Sequence, residues 1–425
     1  MIRKTIMTAL LASSASLAAA QQPPATVPAP VAVQTVPAAA EPAAPDAARL
    51  AAARRLVDEA LPQSLLERAI DAGVQHAAAQ ESRDPEEARR DPHLAERTRI
   101  TARVVGEEAN RILREIDPNL RSLLADFYAR RLSLAELEEG ARFYASPIGR
   151  RFYEGAINVA LSPEYDQAMR ALTPQMERAM EGADQRYLAA TADLPPFPGE
   201  TRPPAGSTPP PAPPAPPRAA PAVPPLPAAD PARLAAGNRM AEAVWPTGLF
   251  DQPLNLEPAL NAVLAMRVGD FGIPLPPQAQ VDPNATLAAI ASAFDPHFSR
   301  RLPVIARFAA GEMARMGTAI EPDWKRIAAV FYAREFTVAE LDAMAGFFSS
   351  PAGRRLNLET YRAFEDPALV RGLVQLLPRI AVQIPAVSQR IERATAHLPR
   401  PSPPPGADES GEDHDHGEGG EQHDH

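Results

Sequence analysis

Two short segments of this sequence combine residue types that could bind an anion. Both have the pattern Ser-Pro-x-Gly-Arg-Arg, and they run from Ser146 to Arg151 and from Ser350 to Arg355. Serine followed by proline is typical of a helix start, where free backbone N–H groups attract phosphate or carboxylate. Glycine would let such a group approach closely, and the arginines would add positive charge. The candidate binding residues are Ser146, Gly149, Arg150, Arg151, Ser350, Gly353, Arg354 and Arg355.

A structural interpretation explains the same residues without a ligand. Serine caps the helix, and proline fits the first helical position because its missing N–H group is not needed there. Gly149 and Gly353 would then allow close helix packing, and the arginines would be solvated. Because capping alone accounts for the serine and the proline, the sequence favours this structural interpretation over an anion site.

Histidine and glutamate residues also recur, and either type could transfer protons. His93 and His297 each follow Asp-Pro, and Glu136 and Glu340 occupy matched positions. An imidazole titrates near neutral pH and suits a general base. However, Asp-Pro is itself typical of an N-cap with proline in the first turn, and both glutamates fit a capping box. No serine nucleophile recurs with suitable neighbours, and the chain has no cysteine. We therefore predict no catalytic residue.

The C-terminal segment offers metal chemistry. The stretch Asp408–Asp424 contains eight acidic residues and no basic residue, and its histidines alternate with aspartates. Imidazole is a good ligand for Zn, Ni or Cu, so weak binding of one of these ions is one interpretation. The alternative is a solvated, acidic, low-complexity end. The candidate metal ligands are His414, His416, His423 and His425. No other cofactor is expected.

The elements that position the two motifs are helices. Apolar residues precede each motif at i, i+3, i+4, i+7 and i+8, which places them on one helix face. In the first copy they are Leu120, Leu123, Leu124, Phe127 and Tyr128. In the second copy they are Trp324, Ile327, Ala328, Phe331 and Tyr332. Aromatic residues at this spacing could line a ligand groove, but they are more typical of a helical core.

Each apolar stretch leads into a second helix with a predicted capping box. Ser133 with Glu136, and Thr337 with Glu340, have the spacing at which side chain and backbone cap each other. Ser146 and Ser350 then begin a third helix. The chain is therefore expected to turn sharply twice in each copy.

These motifs together resemble the bacterial domain-of-unknown-function family 2059. The shared pattern is F-Y-A-R, then [LF]-[ST]-x-x-E-L, then F-[YF]-x-S-P-x-G-R-R. It spans Phe127–Arg151 and Phe331–Arg355, which align with each other without a gap. The resemblance covers these two segments and implies an exported, helical bacterial domain. It brings no established activity and no catalytic residues.

The N-terminal segment predicts export. Residues 1–20 begin with Arg3 and Lys4, continue with a short apolar stretch and end in Ala18-Ala19-Ala20, the pattern of a secretory signal peptide. A membrane anchor is the alternative, but the apolar stretch is too short and too rich in serine and alanine. No later stretch is apolar enough to span a bilayer. We expect a periplasmic or secreted protein with no transmembrane segment after signal removal.

Internal similarity extends beyond the motifs and predicts two homologous domains. The first repeat is Asp46–Pro195, and the second repeat is Asp230–Pro399, which is longer between Pro253 and Val281. A Pro/Ala-rich tether (21–45), a proline-rich linker (196–229) and a disordered acidic tail (400–425) flank them. Helical periodicity dominates, so the predicted fold class is all-α. Each repeat is long enough for a core of its own, and we expect the two to fold independently.

The expected function is binding or scaffolding in the bacterial cell envelope, with an unknown envelope protein or polymer as partner. Linking two modest binding modules raises their overall affinity, which fits a tandem repeat. The alternative is an envelope enzyme, such as a hydrolase acting on a polymer. The net charge of −10 gives no basic excess, so a nucleic acid partner is not expected.

Overall fold

The structure is a computed structural model, and it describes residues 45–81, 89, 91–196, 229–251, 253–271 and 282–399. Within these residues the all-α prediction is confirmed, since the only extended pairing there is an isolated bridge between Arg267 and Thr286. None of the helices in this part of the chain has the length and apolar character needed to cross a membrane. The predicted signal peptide, most of the tether and linker, and the acidic tail lie outside the described residues.

The helices follow the two sequence repeats. Those of the first repeat are α1 (Ala47–Ala60), α2 (Gln63–Glu81), α3 (Leu94–Arg131), α4 (Leu134–Ala145), α5 (Pro147–Ala160), α6 (Pro163–Arg170), α7 (Thr173–Met180) and α8 (Ala183–Ala190). Those of the second repeat are α9 (Pro231–Val244), α10 (Glu257–Leu264), α11 (Leu287–Phe294), α12 (Phe298–Glu335), α13 (Val338–Ser349), α14 (Pro351–Tyr361), α15 (Pro367–Ala381) and α16 (Ile384–Thr395). Short 3₁₀ turns occupy Leu249–Asp251, Val268–Phe271 and Arg362–Glu365.

Both predicted capping boxes are present at the starts of α4 and α13. The backbone N–H of Ser133 donates to the Glu136 carboxylate over 2.7 Å, and the N–H of Glu136 donates back to the Ser133 hydroxyl over 3.3 Å. Thr337 and Glu340 repeat this exchange over 2.8 and 3.3 Å. Each box satisfies donors that a helix start leaves without intrahelical partners. The backbone hydrogen bond from Thr337 leads the interactions that lower the pKa of Glu340.

The long helices α3 and α12 begin later than the Asp-Pro dipeptides indicate. Asp91 accepts a hydrogen bond from the N–H of His93, and Asp295 accepts one from the N–H of His297, over 2.9 and 3.0 Å. In this local turn the aspartate side chain accepts a hydrogen bond from the histidine N–H, two residues ahead. The helix therefore starts only after the histidine. The interpretation of these aspartates as N-caps followed by a first-turn proline is therefore wrong.

The described chain divides into two compact units, and neither coincides with a sequence repeat. The smaller unit contains Asp71–Ala109 and, from the second repeat, residues 385–399. The larger unit contains residues 45–70 and Asn110–Ile384, with the exceptions named above. Each unit therefore takes segments from both repeats. The ranges 46–195 and 230–399 remain a prediction about domains.

The core of the larger unit mixes residues from both repeats. One buried cluster surrounds Met240, Ile327 and Leu341 of the second repeat and includes Val159 and Leu172 of the first. A second cluster is built mainly by the first repeat and includes one leucine from α14. Its large members are Leu56, Leu132, Leu137, Tyr144 and Leu356. Burial of apolar surface is the main stabilising contribution to folding, so a large part of the core stability depends on both repeats at once.

Candidate functional site

The two Ser-Pro-x-Gly-Arg-Arg motifs use their serine side chains as helix caps. The hydroxyl of Ser146 accepts a hydrogen bond from the N–H of Gly149 over 3.1 Å, and Ser350 accepts one from Gly353 over the same distance. Ser350 also donates to the carboxylate of Glu139 over 2.7 Å. Some of the N–H and O–H groups that would bind an anion therefore already donate hydrogen bonds within the protein.

Gly149 and Gly353 lie where no side chain fits. A Cβ atom added to Gly149 would be 2.2 Å from the backbone oxygen of Phe143, and one added to Gly353 would be 2.0 Å from the oxygen of Phe347. Both distances are far below van der Waals contact. Glycine is therefore explained by the close approach of consecutive helices at the turn.

Arg151 reaches from the first repeat to the second. Its guanidinium donates to the side chain of Glu335 over 2.8 Å and to the backbone oxygen of the same residue over 2.7 Å. It also lies 4.9 Å from the ring centroid of Phe336 and 3.6 Å from the carboxylate of Glu340. The expectation that this arginine is merely solvated is wrong, whereas the neighbouring Arg150 is exposed.

Arg355 is engaged by a carboxylate of its own helix. Its guanidinium lies 2.9 Å from Glu359, whose side chain is buried, and Arg131 of the first repeat approaches the same carboxylate at 3.8 Å. The neighbouring Arg354 is exposed. In both motifs, then, the second arginine pairs with a protein carboxylate, although Arg355 remains exposed like Arg150 and Arg354.

These contacts lead us to expect that inorganic phosphate will not stabilise the protein specifically. A ligand that binds only the folded state raises the melting temperature, by an amount set by its concentration and dissociation constant. Phosphate also stabilises folded proteins without binding, so we expect the same difference in melting temperature between phosphate and chloride, at matched ionic strength, for the wild type and for a variant with Arg150 and Arg354 changed to glutamine. A phosphate-dependent rise that disappears when Arg150 and Arg354 are changed to glutamine would instead support the anion site.

The aromatic residues of the two motifs lie in the core. Phe127 is fully buried and Tyr144 nearly so. Burial raises the pKa of Tyr144 well above its ordinary value, with smaller contributions from neighbouring tyrosines. Phe143 of the first repeat stacks on Phe347 of the second, with ring centroids 3.8 Å apart and an angle of 4° between the rings. This arrangement matches the core interpretation rather than a ligand groove.

The recurring histidines are placed by the turns before α3 and α12. In each turn the aspartate side chain bonds the histidine N–H and also accepts from an arginine six residues on, Arg97 or Arg301, over 2.7 Å. Arg301 is fully buried, and its guanidinium also donates to the backbone oxygen of Pro195 over 2.7 Å. The recurring aspartates therefore have structural partners.

Sequence reasoning did not single out two ion pairs between the repeats, in each of which a more exposed arginine meets a buried glutamate. Arg186 donates to both oxygens of the Glu312 carboxylate, and the shared hydrogen bonds lower the pKa of Glu312 despite its burial. The matched residues Arg390 and Glu108 also form an ion pair. The arginine and the glutamate recur at matched positions of the two repeats. This recurrence is the sequence signal from which the ion pairs could have been predicted.

The described residues contain no group of three or more histidine, cysteine, aspartate or glutamate side chains that could hold a metal ion. The candidate ligands His414, His416, His423 and His425 lie outside those residues.

The fold and the motifs define an all-α protein with two copies of a capped helical turn. A family model described as an uncharacterised protein conserved in bacteria, DUF2059, matches residues 118–185 and again residues 324–364. The resemblance inferred from the motifs is therefore confirmed, in two separate segments. No curated protein and no solved structure matches the chain.

Proposed function

We propose that this protein is an exported, helical binding or scaffold protein of the bacterial cell envelope. The signal-peptide pattern of residues 1–20 supports export. The recurring residues of the two motifs support a binding or scaffolding role over catalysis, because Ser146, Gly149, Arg151 and Glu340 have capping, packing or ion-pair functions. The partner would be an envelope protein or polymer that contacts the outer surface of the helices.

The observation that carries the binding proposal is a pair of exposed aromatic side chains in the second repeat. Phe294, at the end of α11, is 63% exposed, and Phe364, before α15, is 62% exposed. The matched residues of the first repeat are Arg90 and Ala160. Aromatic residues are enriched at protein interfaces, and the exposed phenylalanines have no aromatic counterpart in the first repeat. We therefore assign partner binding to the second repeat.

Photo-crosslinking in cells tests this proposal. A photoreactive amino acid would replace Phe294 or Phe364 in the full chain, with the exposed Arg150 as the matched control position. We expect an envelope component crosslinked from positions 294 and 364 and not from 150, and weaker capture when the other phenylalanine is alanine. Retention of the full chain in the cytoplasm, or identical products from all three positions, would contradict the proposal.

The acidic tail is proposed as a separate, weak metal site. Neutral imidazole binds Zn, Ni or Cu, so affinity should fall as pH drops below about 6.5, the ordinary histidine pKa. Ordering a polar segment around an ion costs conformational entropy, which keeps the affinity low. Calorimetric titration with Zn should show binding to the full chain and none to a chain ending at Arg400. Equal affinity in both would place the site elsewhere, and no heat in either would leave the tail as a solvated end.

A further inference from the structure

The last helices of the first repeat are bound by the second repeat. Helices α6, α7 and α8 pack against the long helix α12. Tyr165 of α6 meets Phe331 edge to face, with ring centroids 5.3 Å apart, and Arg186 of α8 donates to Glu312 over 2.8 Å. At the end of the repeat, Pro195 accepts from the buried Arg301. The C-terminal helices of the first repeat thus pack on the long helix of the second repeat.

The second repeat makes the reciprocal contacts with matched residues. Gly372 of α15 packs so closely on α3 that an added Cβ atom would be 2.3 Å from the side chain of Leu123. In the smaller unit, Arg390 of α16 pairs with Glu108, as Arg186 pairs with Glu312. There, too, Arg97 donates to the backbone oxygen of Pro399. The last helices of each repeat therefore pack against the long helix of the other repeat.

In the larger unit, two residues at matched positions of the motifs also contact each other. Phe143 and Phe347 occupy the same position of the two motifs, and their rings stack almost in parallel. In an isologous dimer, residue i contacts residue j and j contacts i, and residues on the two-fold axis contact their own copies. The reciprocal ion pairs correspond to the contacts of i with j and of j with i, and the stacked phenylalanines correspond to a residue that contacts its own copy. Here both kinds of contact occur within one chain.

Small residues make room for these contacts. An added Cβ atom on Gly155 of α5 would be 2.1 Å from the ring of Phe336, and one on Gly140 of α4 would be 3.3 Å from Leu356 of α14. Phe336 and Leu356 are both buried. The surface is therefore closely packed and apolar, with ion pairs added to it, which is the composition of a stable subunit interface.

We propose that the repeat is a self-recognising module whose binding partner is a second copy of the repeat. In this chain the two copies bind each other as an intramolecular dimer with exchanged C-terminal helices. The covalent connection raises their effective concentration, but the contacts themselves hold the copies together. A copy from another chain can therefore take the place of the copy from the same chain. This inference does not depend on the envelope partner proposed above.

The test uses the full chain with a protease site inserted between residues 197 and 228. The protein is folded first and then cut. We expect both fragments to elute as one complex with the helical content of the uncut chain. The melting temperature of the cut protein should rise with protein concentration, because its folding is then coupled to association, whereas that of the uncut chain should not change. Separation of the fragments, whether folded or aggregated, or a melting temperature independent of concentration, would overturn the proposal.

Matched arginine variants test whether the observed contacts hold the complex together. Arg151→Met removes the contacts to Glu335 and Phe336, whereas Arg150→Met changes an exposed neighbour. We expect the dissociation constant of the cut protein to rise roughly tenfold for Arg151→Met and to stay unchanged for Arg150→Met. Equal effects of the two substitutions would contradict the assigned interface.

Exchange between chains is tested by unfolding and refolding cut protein together with an isotope-labelled sample. Native mass spectrometry should then detect complexes with one labelled and one unlabelled fragment, in the proportion expected for random pairing. Refolded complexes without mixed pairs would overturn the claim that a second chain can supply the partner copy.

Discussion

Replacement of Arg301 by methionine is expected to lower the free energy of unfolding by about 3–5 kcal/mol, the usual cost of leaving a buried charge without its partner. Arg301 is fully buried, and its guanidinium bonds both the carboxylate of Asp295 and the backbone oxygen of Pro195 over 2.7 Å. Methionine is a shorter, unbranched side chain with no hydrogen-bond donor, so the 3% exposed Asp295 would lose its ion pair. Chemical denaturation monitored by circular dichroism measures the loss.

The adjacent Arg300 is the matched control, because it is exposed and its replacement by methionine should change stability by less than about 0.5 kcal/mol. Adding Asp295→Asn to Arg301→Met should recover part of the loss, since the remaining group is then uncharged. Equal stabilities of the Arg300 and Arg301 variants would show that the buried pair does not stabilise the fold.

The same pair predicts how the variant responds to pH. Burial raises the pKa of Asp295, but hydrogen bonds from Arg301 and the His297 N–H outweigh burial and lower the pKa below its ordinary value of 3.8. The contribution of the pair is therefore present above the unfolded pKa and is lost as pH falls through the lower folded pKa. The stability difference between wild type and Arg301→Met should shrink correspondingly in acid. A difference that grows as the pH falls would contradict this assignment.

Replacement of Gly353 by alanine is expected to lower the free energy of unfolding by about 1–3 kcal/mol, as overpacking of a close-packed site generally does. The added Cβ atom would be 2.0 Å from the backbone oxygen of Phe347 and 3.0 Å from the Cα atom of Phe348. A backbone neighbour cannot rotate away as a side chain can, so the turn between α13 and α14 has to open. Thermal and chemical denaturation of the full chain measure the effect.

Gly346 of α13 provides the opposite control. An added Cβ atom there meets nothing within 4 Å, so alanine is expected to stabilise the helix by about 0.5–1 kcal/mol. The two glycines are close in sequence, but only one of them is needed for packing. A stabilising Gly353→Ala substitution would mean that the turn accommodates a side chain and that another requirement keeps the glycine.

The interactions predicted best from the sequence act over a few residues. The capping boxes at Ser133 and Thr337 and the Ser-Pro helix starts form as expected, because their donors and acceptors are at most three residues apart. The helical fold class follows from a periodicity that each helix carries by itself. The sequence does not predict the Asp-Pro turns correctly, because the same aspartate can cap a helix or form a turn. Arg97 and Arg301 contribute to the turn that is observed.

The sequence by itself determined the helices, their caps, the two copies of the motif and the resemblance to the bacterial family. Only the tertiary structure decided which copy each apolar face packs against. Matched faces are chemically alike, so Phe143 could pack within its own repeat or against Phe347, and periodicity does not distinguish the two. The sequence predicts independent folding of the two repeats, and this stays a prediction; our proposal of mutual dependence is based on the contacts between Phe143 and Phe347 and between Arg186 and Glu312. The physical reason is that removing apolar surface from water is favourable whichever complementary surface covers it. Here the long helix of each repeat contacts the last helices of the other.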